Sequence, residues 1–315
     1  MSWRSVTDKL KHSESILRFA DWLGRGRGRM RWFDQLYVPP KPRLPDLSQW
    51  HQEKLSAIWL GHATVLLRMG GMTILTDPVM SNRIGVGLGL ITGGPHRLLA
   101  PALSLRQLPP IDLILISHAH FDHLDRPTLC RLPKNIPVIS SHQTLDLIRD
   151  LGFRCITELQ WGESLEFSGL KLTAREVNHW GARTFFDKHR GYNAYLIESA
   201  GHRVLYGGDT AFQNHFKELD NIDLAILGIG GYDPYVQAHA TPEQAWDMAN
   251  HMNARHLLPI HHSTFRLSYE PTKDPMKRIL GAAGDQAERI VIREVGGQWS
   301  LGQSGRGVPP MHFLD

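Results

Sequence analysis

The six residues His118-Ala119-His120-Phe121-Asp122-His123 follow directly on the run Asp112-Leu113-Ile114-Leu115-Ile116-Ser117, apolar at its centre, and no other stretch narrows the fold so far. A run of this kind reads as a buried strand, and it delivers four side chains able to bind a divalent cation into one loop. On an extended segment residues two apart leave the same face, so His118 and His120 can share an ion. Asp122 and His123, beyond a turn, can aim at a second. A binuclear site needs more donors than one loop holds. They occur at the ends of later apolar runs: His179 after Leu170 to Val177, Asp209 closing Val204 to Gly208, and His261 closing His256 to Ile260. Open sheets present functional side chains where their strands end, so such a chain must bring several strand ends to one place.

The order His-x-His-x-Asp-His at residues 118–123 resembles the metallo-β-lactamase superfamily. The resemblance implies that His118, His120 and His179 hold one cation, that Asp122, His123 and His261 hold the other, and that Asp209 bridges them. Further segments are similar to the N-acylphosphatidylethanolamine-hydrolysing phospholipase D group. They are Trp59-Leu60-Gly61-His62-Ala63-Thr64, Leu75-Thr76-Asp77-Pro78, Gly94-Pro95-His96-Arg97, Leu108-Pro109-Pro110-Ile111-Asp112, His179-Trp180 with Arg183, Gly208-Asp209-Thr210 and Ile229-Gly230-Gly231-Tyr232-Asp233-Pro234. Departures from that group are Gly228-Ile229-Gly230 in place of Pro-Ile-Gly, and His262-Ser263 in place of Trp-Gly. His262 competes with His261 as ligand, and neighbours on an extended segment point opposite ways, so only one can serve. The likeness to the family's His-Trp-Gly-Thr-Phe segment favours His261. The implied fold is α/β (α+β), a four-layer αββα sandwich.

Two cations a few ångströms apart would ionise a water between them near neutral pH and steady the oxygen on which negative charge collects. The expected activity is therefore that of a binuclear hydrolase, with Asp122 and Asp209 in the catalytic centre. A phosphodiester of an N-acyl phospholipid or related amphiphile is the substrate class the resemblance implies. The alternative is a lactonase or other carboxylic-ester hydrolase, which shares these ligands; a lipid-binding protein without activity is the rival from another class. Imidazole-rich ligands suit zinc, and mixed His and carboxylate sites accept iron or manganese. The oxygen-reducing diiron relatives place Glu where this chain has His120, and residues 210–260 leave no room for the domain inserted in the superfamily's nucleases.

Four further residues carry two readings each. His239 matches a histidine near the phosphoryl position of the phospholipase group, where it would polarise substrate or protonate the leaving group. It also stands at a helix entry, before the Thr241 cap and Pro242 at the first turn. His62 either orients a ligand or is a buried structural histidine. Asp125 holds a ligand imidazole or makes a turn, and Tyr232 touches substrate or packs.

Hydrophobic residues make up 42% of the 315-residue chain, enough for one large core. We read residues 51–315 as a single hydrolase domain and 1–50 as an N-terminal extension. In that extension Ile16, Phe19, Ala20 and Leu23 have helical spacing and precede the arginine-rich segment 24–33. Residues 16–33 read as a docking helix followed by a basic loop, or as a peripheral membrane contact. Pro39 to Pro45 read as an extended tether. The net charge of +4 suits an anionic surface but decides little; no nucleic acid partner is expected, and the oligomeric state is open. Two cysteines, Cys130 and Cys155, point to a reducing compartment. With no signal-peptide pattern and no apolar run near the roughly 18 residues of a spanning helix, a cytoplasmic protein is expected, peripheral at the inner membrane face if 16–33 meets lipid. Helices are predicted around 142–151 and 242–253. Strands are predicted in 55–76 and around 165–177, 192–199, 202–208, 224–230 and 288–300, with a mobile glycine-rich loop at 84–94.

Overall fold

The computed structural model describes residues 38–88, 91–184 and 187–302, so the expectations for residues 16–33 lie outside the described residues. In chain order the elements are β1 (Leu55–Gly61), β2 (Thr64–Met69), β3 (Met72–Thr76), β4 (Val86–Leu88), β5 (Ile91–Gly93), β6 (Leu113–Ile116), α1 (Arg126–Arg131), β7 (Val138–Ser141), β8 (Ile156–Leu159) and β9 (Ser164–Phe167). Then come β10 (Leu170–Arg175), β11 (Ala194–Ser199), β12 (His202–Tyr206), β13 (Leu224–Gly228), α2 (Pro242–His251), β14 (His256–Ile260), α3 (Asp274–Ala283) and β15 (Gln298–Ser300).

Two mixed sheets result. One has the order β15-β1-β2-β3-β6-β7-β8 and the other β14-β13-β12-β11-β10-β9. In the first, β3, β6, β7 and β8 run parallel; in the second, β12, β13 and β14 do. A parallel strand is covered on both faces and so reads as an unbroken apolar run, which β13 illustrates. Leu224 and Ile226 join the core between the sheets, whereas Ala225 and Leu227 join the core under α2 and α3. The same alternation runs through β12, with Val204 and Tyr206 inward and Leu205 toward the helices. The architecture is the sandwich expected from the sequence.

Helix α2 starts on a complete capping box: Gln244 N–H donates to Thr241 Oγ1 at 3.3 Å and Thr241 N–H to Gln244 Oε1 at 3.0 Å, with Pro242 in the first turn. Elsewhere the local readings need correction. Residues 142–151 form two 3-10 turns, not a helix. Glu158 takes the N–H groups of Thr144 and Leu145, and the Arg126 guanidinium takes the Leu147 carbonyl, so the groups a helix would pair are used sideways. Residues 165–177 split into the hairpin β9/β10 at Ser168-Gly169, both at positive φ. Of 288–300 only β15 is a strand, because the turn at Gly296-Gly297 ties the chain to Trp59 first.

Within the 84–94 stretch, residues 86–88 and 91–93 pair as an antiparallel β4/β5 ribbon, where an irregular loop was expected. Its glycines give closeness: a Cβ on Gly85 would strike the Gly93 carbonyl, and one on Gly94 the Ile84 carbonyl. The proline-rich stretch is pinned to the body, with Ala100 N–H donating to Pro40 O at 2.9 Å and Asp46 N–H to Gln298 Oε1 at 2.7 Å. Among the described residues no helix is long and apolar enough to cross a membrane.

Candidate metal centre

Strands β3, β6, β10, β12, β13 and β14 all finish at one end of the sandwich, and the loops after them carry the polar residues, His179 on the loop after β10. The loops can converge because glycine stands where they touch. Gly208 has φ +55°, and a Cβ there would lie 2.8 Å from Ser117 Cβ. Hydrogen bonds then stitch the loops together. Asn193 N–H donates to Ser117 O at 3.0 Å, Asn178 N–H to Thr210 Oγ1 at 3.0 Å, and Ala240 N–H to Thr210 O at 2.8 Å.

Asp209 occupies the middle. Its Oδ2 lies 3.1 Å from His123 Nε2, 3.2 Å from His261 Nε2, 3.7 Å from His179 Nε2 and 3.8 Å from His118 Nε2. On one side His120 Nδ1 faces His118 Nε2 at 2.9 Å and His179 Nε2 at 3.3 Å. On the other, Asp122 Oδ2 lies 3.4 Å from His261 Nε2 and 3.6 Å from His123 Nε2. Four overlapping groups of mutually close ligand atoms result among the described residues: His118, His120, His179 and Asp209; His62, Asp122, His123 and His261; Asp77, His118 and His123; and Asp209, His239 and His261.

The outer nitrogens fix the tautomers. Ser117 Oγ donates to Asp77 Oδ2 at 2.5 Å and so accepts from His118 Nδ1 at 2.9 Å. His179 Nδ1 donates to Ala238 O at 2.9 Å, and His123 Nδ1 to Asp77 Oδ2 at 2.6 Å. Each of these rings therefore turns its Nε2 inward, and in His118 and His179, which burial keeps neutral, that nitrogen carries a lone pair.

Electrostatics divides the ligands. Burial pushes His118 well below its ordinary value, His120 down to about 4 and His179 down to about 3, so all three are neutral donors. Burial also opposes the charged forms of Asp122 and Asp209, yet His123 and the neighbouring imidazoles hold both carboxylates well below the usual range. In turn these carboxylates overcome burial to raise His123 well above its ordinary value and His261 to about 9. The spot attracts positive charge.

Divalent cations fit these residues. Asp209 Oδ1 and Oδ2, His123 Nε2 and His261 Nε2 are buried without a hydrogen-bond partner, which costs free energy; a cation that displaces the ring protons would satisfy all four. Nitrogens bound to a tetrahedral cation at about 2.1 Å stand about 3.4 Å apart, close to the spacings above.

The remaining candidates separate. His239 points at the centre, its Nδ1 3.9 Å from Asp209 Oδ2, and burial holds it neutral, down to about 3. His62 Nε2 meets Asp122 Oδ2 at 2.8 Å, and its backbone N–H donates to Thr264 Oγ1 at 2.7 Å. His262 turns away onto Trp59, centroids 4.6 Å apart. The segment is not extended, however: His261 has φ +62°, so the left-handed turn, not strand alternation, separates the two rings.

One expectation is corrected, that for Asp125, and of the two readings for Tyr232 the packing one has partners here. Asp125 holds no imidazole; its Oδ2 accepts from Ser81 Oγ at 2.6 Å and Thr128 Oγ1 at 2.5 Å, fixing the start of α1. Tyr232 is buried and donates to Asp274 Oδ2 at 2.6 Å under the Arg278 guanidinium, so it anchors α3. The carboxylate that does hold a ligand imidazole is Asp77, which also accepts from Tyr206 Oη at 2.6 Å and Ser117 N–H at 2.7 Å. Its place at the end of β3, just before Pro78, was the available signal.

Residues 72–262 match the family described as the beta-lactamase superfamily domain. The chain is 31% identical over 277 residues to the N-acyl-phosphatidylethanolamine-hydrolyzing phospholipase D 1 of Caenorhabditis elegans, covering 79% of this chain and 77% of that one. It is 25% identical over 249 residues to a metal-dependent hydrolase of Thermoplasma acidophilum, covering 77% and 97%. An isothiocyanate hydrolase from Delia radicum gut bacteria superposes with TM-score 0.64 at 17% identity over 78% of this chain and 98% of that one, a likeness of fold.

Proposed function

The chain belongs to the beta-lactamase superfamily of metal-dependent hydrolases, and from that premise we propose that it cleaves a phosphodiester of an N-acyl phospholipid or related amphiphile, in the manner of a phospholipase D. The observation that carries the hydrolytic part is Asp209 standing between two sets of inward-facing imidazole nitrogens and the Asp122 carboxylate. Likeness to the Caenorhabditis elegans enzyme over most of both chains supports the substrate class. We assign His118, His120 and His179 to one cation, Asp122, His123 and His261 to the other, and Asp209 to both, with zinc the first choice for an imidazole-rich set. Bound there, such a pair supplies Lewis-acid activation of water and charge neutralisation on the scissile group.

The chain's own residues do the rest. Asp77 orients His123, and His62 holds one oxygen of Asp122. His239, neutral and facing the centre, offers a hydrogen bond to the substrate or its leaving group. The thiols of Cys130 and Cys155 are free and exposed, in keeping with a reducing, cytoplasmic setting. The test is turnover by metal-loaded protein of an N-acyl phosphatidylethanolamine, bis(p-nitrophenyl) phosphate and a lactone panel side by side. Turnover of both phosphodiesters is expected; activity confined to lactones overturns the reading. Elemental analysis of protein purified without added metal tests zinc against iron and manganese.

A further inference from the structure

Trp180 follows the ligand His179 directly, and its indole lies on that imidazole with centroids 4.6 Å apart and planes at 25°. Its edge meets His120 at 5.1 Å and His239 at 6.5 Å. A tryptophan usually buries its large apolar body, yet this one is 45% exposed while touching the most polar place in the molecule. Close packing holds it there. A Cβ on Gly181 would collide with the Arg190 and Gly191 carbonyls, and the Arg183 guanidinium stacks on Phe121 at 4.1 Å and donates to Leu124 O at 3.0 Å.

Two further aromatic rings border the same imidazole or its neighbour. Tyr192 meets the His179 ring edge-on at 6.5 Å, and Trp161 meets Tyr192 at 5.3 Å, its indole N–H donating to Tyr192 O at 2.6 Å. Trp161 is 41% exposed. Single exposed apolar residues are ordinary on a protein surface. Rings that border a metal-ligand candidate and reach solvent are a different feature, because they place exposed apolar surface beside the centre.

We infer that Trp180, continued by Tyr192 and Trp161, forms the wall along which an alkyl or acyl chain of the substrate lies while its polar group occupies the centre. The inference rests on the hydrolytic reading and names the part of the substrate that sets specificity. The wall is aromatic, so it recognises chain length instead of headgroup identity. Each methylene removed from water strengthens binding about fourfold when fully buried, and a half-open wall captures part of that.

Calorimetric binding of methylphosphonate and octylphosphonate to zinc-loaded protein tests this without reference to turnover. Wild-type protein is expected to bind the octyl compound at least about tenfold more tightly than the methyl compound. In Trp180→Ala that ratio should fall below about threefold, and Trp180→Phe should keep most of it. Because the ratio cancels any general weakening of the centre, disturbance of His179 does not imitate the effect. An octylphosphonate brominated at the chain end should also quench indole emission of the wild type by a fraction that Trp180→Phe lacks.

A wild-type ratio near one, or a ratio equal in Trp180→Ala, overturns the inference. So does phosphocholine binding that exceeds octylphosphonate binding with the same dependence on Trp180, which would make the wall a cation site. Chain-length dependence without turnover of any phosphodiester leaves the wall standing and removes the phospholipase reading; phospholipid turnover with chain-independent binding does the reverse.

Discussion

The two ligand sets meet at Asp209 but are held by different means. In the Asp122, His123 and His261 set, the supporting atoms are charged or doubly tied: His123 leans on the Asp77 carboxylate, which itself accepts three hydrogen bonds from Ser117 and Tyr206. Asp122 leans on His62, whose carbonyl in turn accepts from His261 N–H at 3.1 Å. In the His118, His120 and His179 set the supports are neutral, a serine hydroxyl and the Ala238 carbonyl, and the half-exposed Trp180 covers the outside. A carboxylate behind an imidazole raises its basicity and fixes its tautomer. One half of the centre is thus deep and strongly anionic, the other open and held by neutral donors, so cation affinity belongs mainly to the first and access to the second.

Asp209→Asn is expected to have the largest effect, since it removes the one charge that both halves share. Both cations should be lost or weakened, with bis(p-nitrophenyl) phosphate turnover down on the order of a thousandfold or more. Elemental analysis that still finds two ions per chain would show that the halves are independent. Asp77→Asn should follow, lowering the affinity of one cation about 10–100-fold with a smaller effect on the other. Titration against chelator-buffered zinc reads the two affinities separately, and equal weakening would break the contrast. His62→Leu leaves Asp122 without its donor and should cost about tenfold in the deep half alone. In His62→Gln the side-chain amide can still donate, and most of that loss should be restored.

The contrast also explains what was legible in the sequence. His118, His120, Asp122 and His123 share one short loop, and their spacing predicts convergence; His179, Asp209 and His261 each close an apolar run, which marks a strand end. Asp77 closes a run in the same way, but as a lone acidic residue before Pro78 it resembles any turn. Its role appears only when β3 pairs with β6 and brings it under His123. Asp125 misled for the converse reason, because proximity in sequence to His123 does not survive the start of α1, which turns its carboxylate to Ser81. The two-sided burial of β12 and β13 was readable as apolar runs, whereas the 142–151 turns depend on Glu158 and Arg126, partners that periodicity does not contain.

The open half rests on the stretches 179–184 and 187–193, and Arg190 anchors the second. Its guanidinium is buried and donates to Asp187 Oδ2 at 2.6 Å, to both oxygens of Asp146 at 2.5 and 2.8 Å, and to Gln143 O at 2.7 Å. Hydrogen bonding to Arg190 lowers Asp146. Burial works to raise Asp187, but Arg190 and Thr184 outweigh it and lower that carboxyl as well. Carboxyls depressed in the folded state contribute stability that is fully present above the ordinary value near 4 and is lost as pH falls through the folded values below it. Arg190→Gln should therefore cost about 2 kcal/mol at neutral pH, discounted because Asp146 is 58% exposed. It should also flatten the decline in stability below about pH 4, read as thermal midpoints from pH 6 to 3. At the centre the same variant should loosen the cation of the His118, His120 and His179 set by only a few-fold and leave the Asp77-backed half unmoved. An equal loss in both halves would mean that the 187–193 stretch supports Asp209 itself, and the two sides would then be one unit.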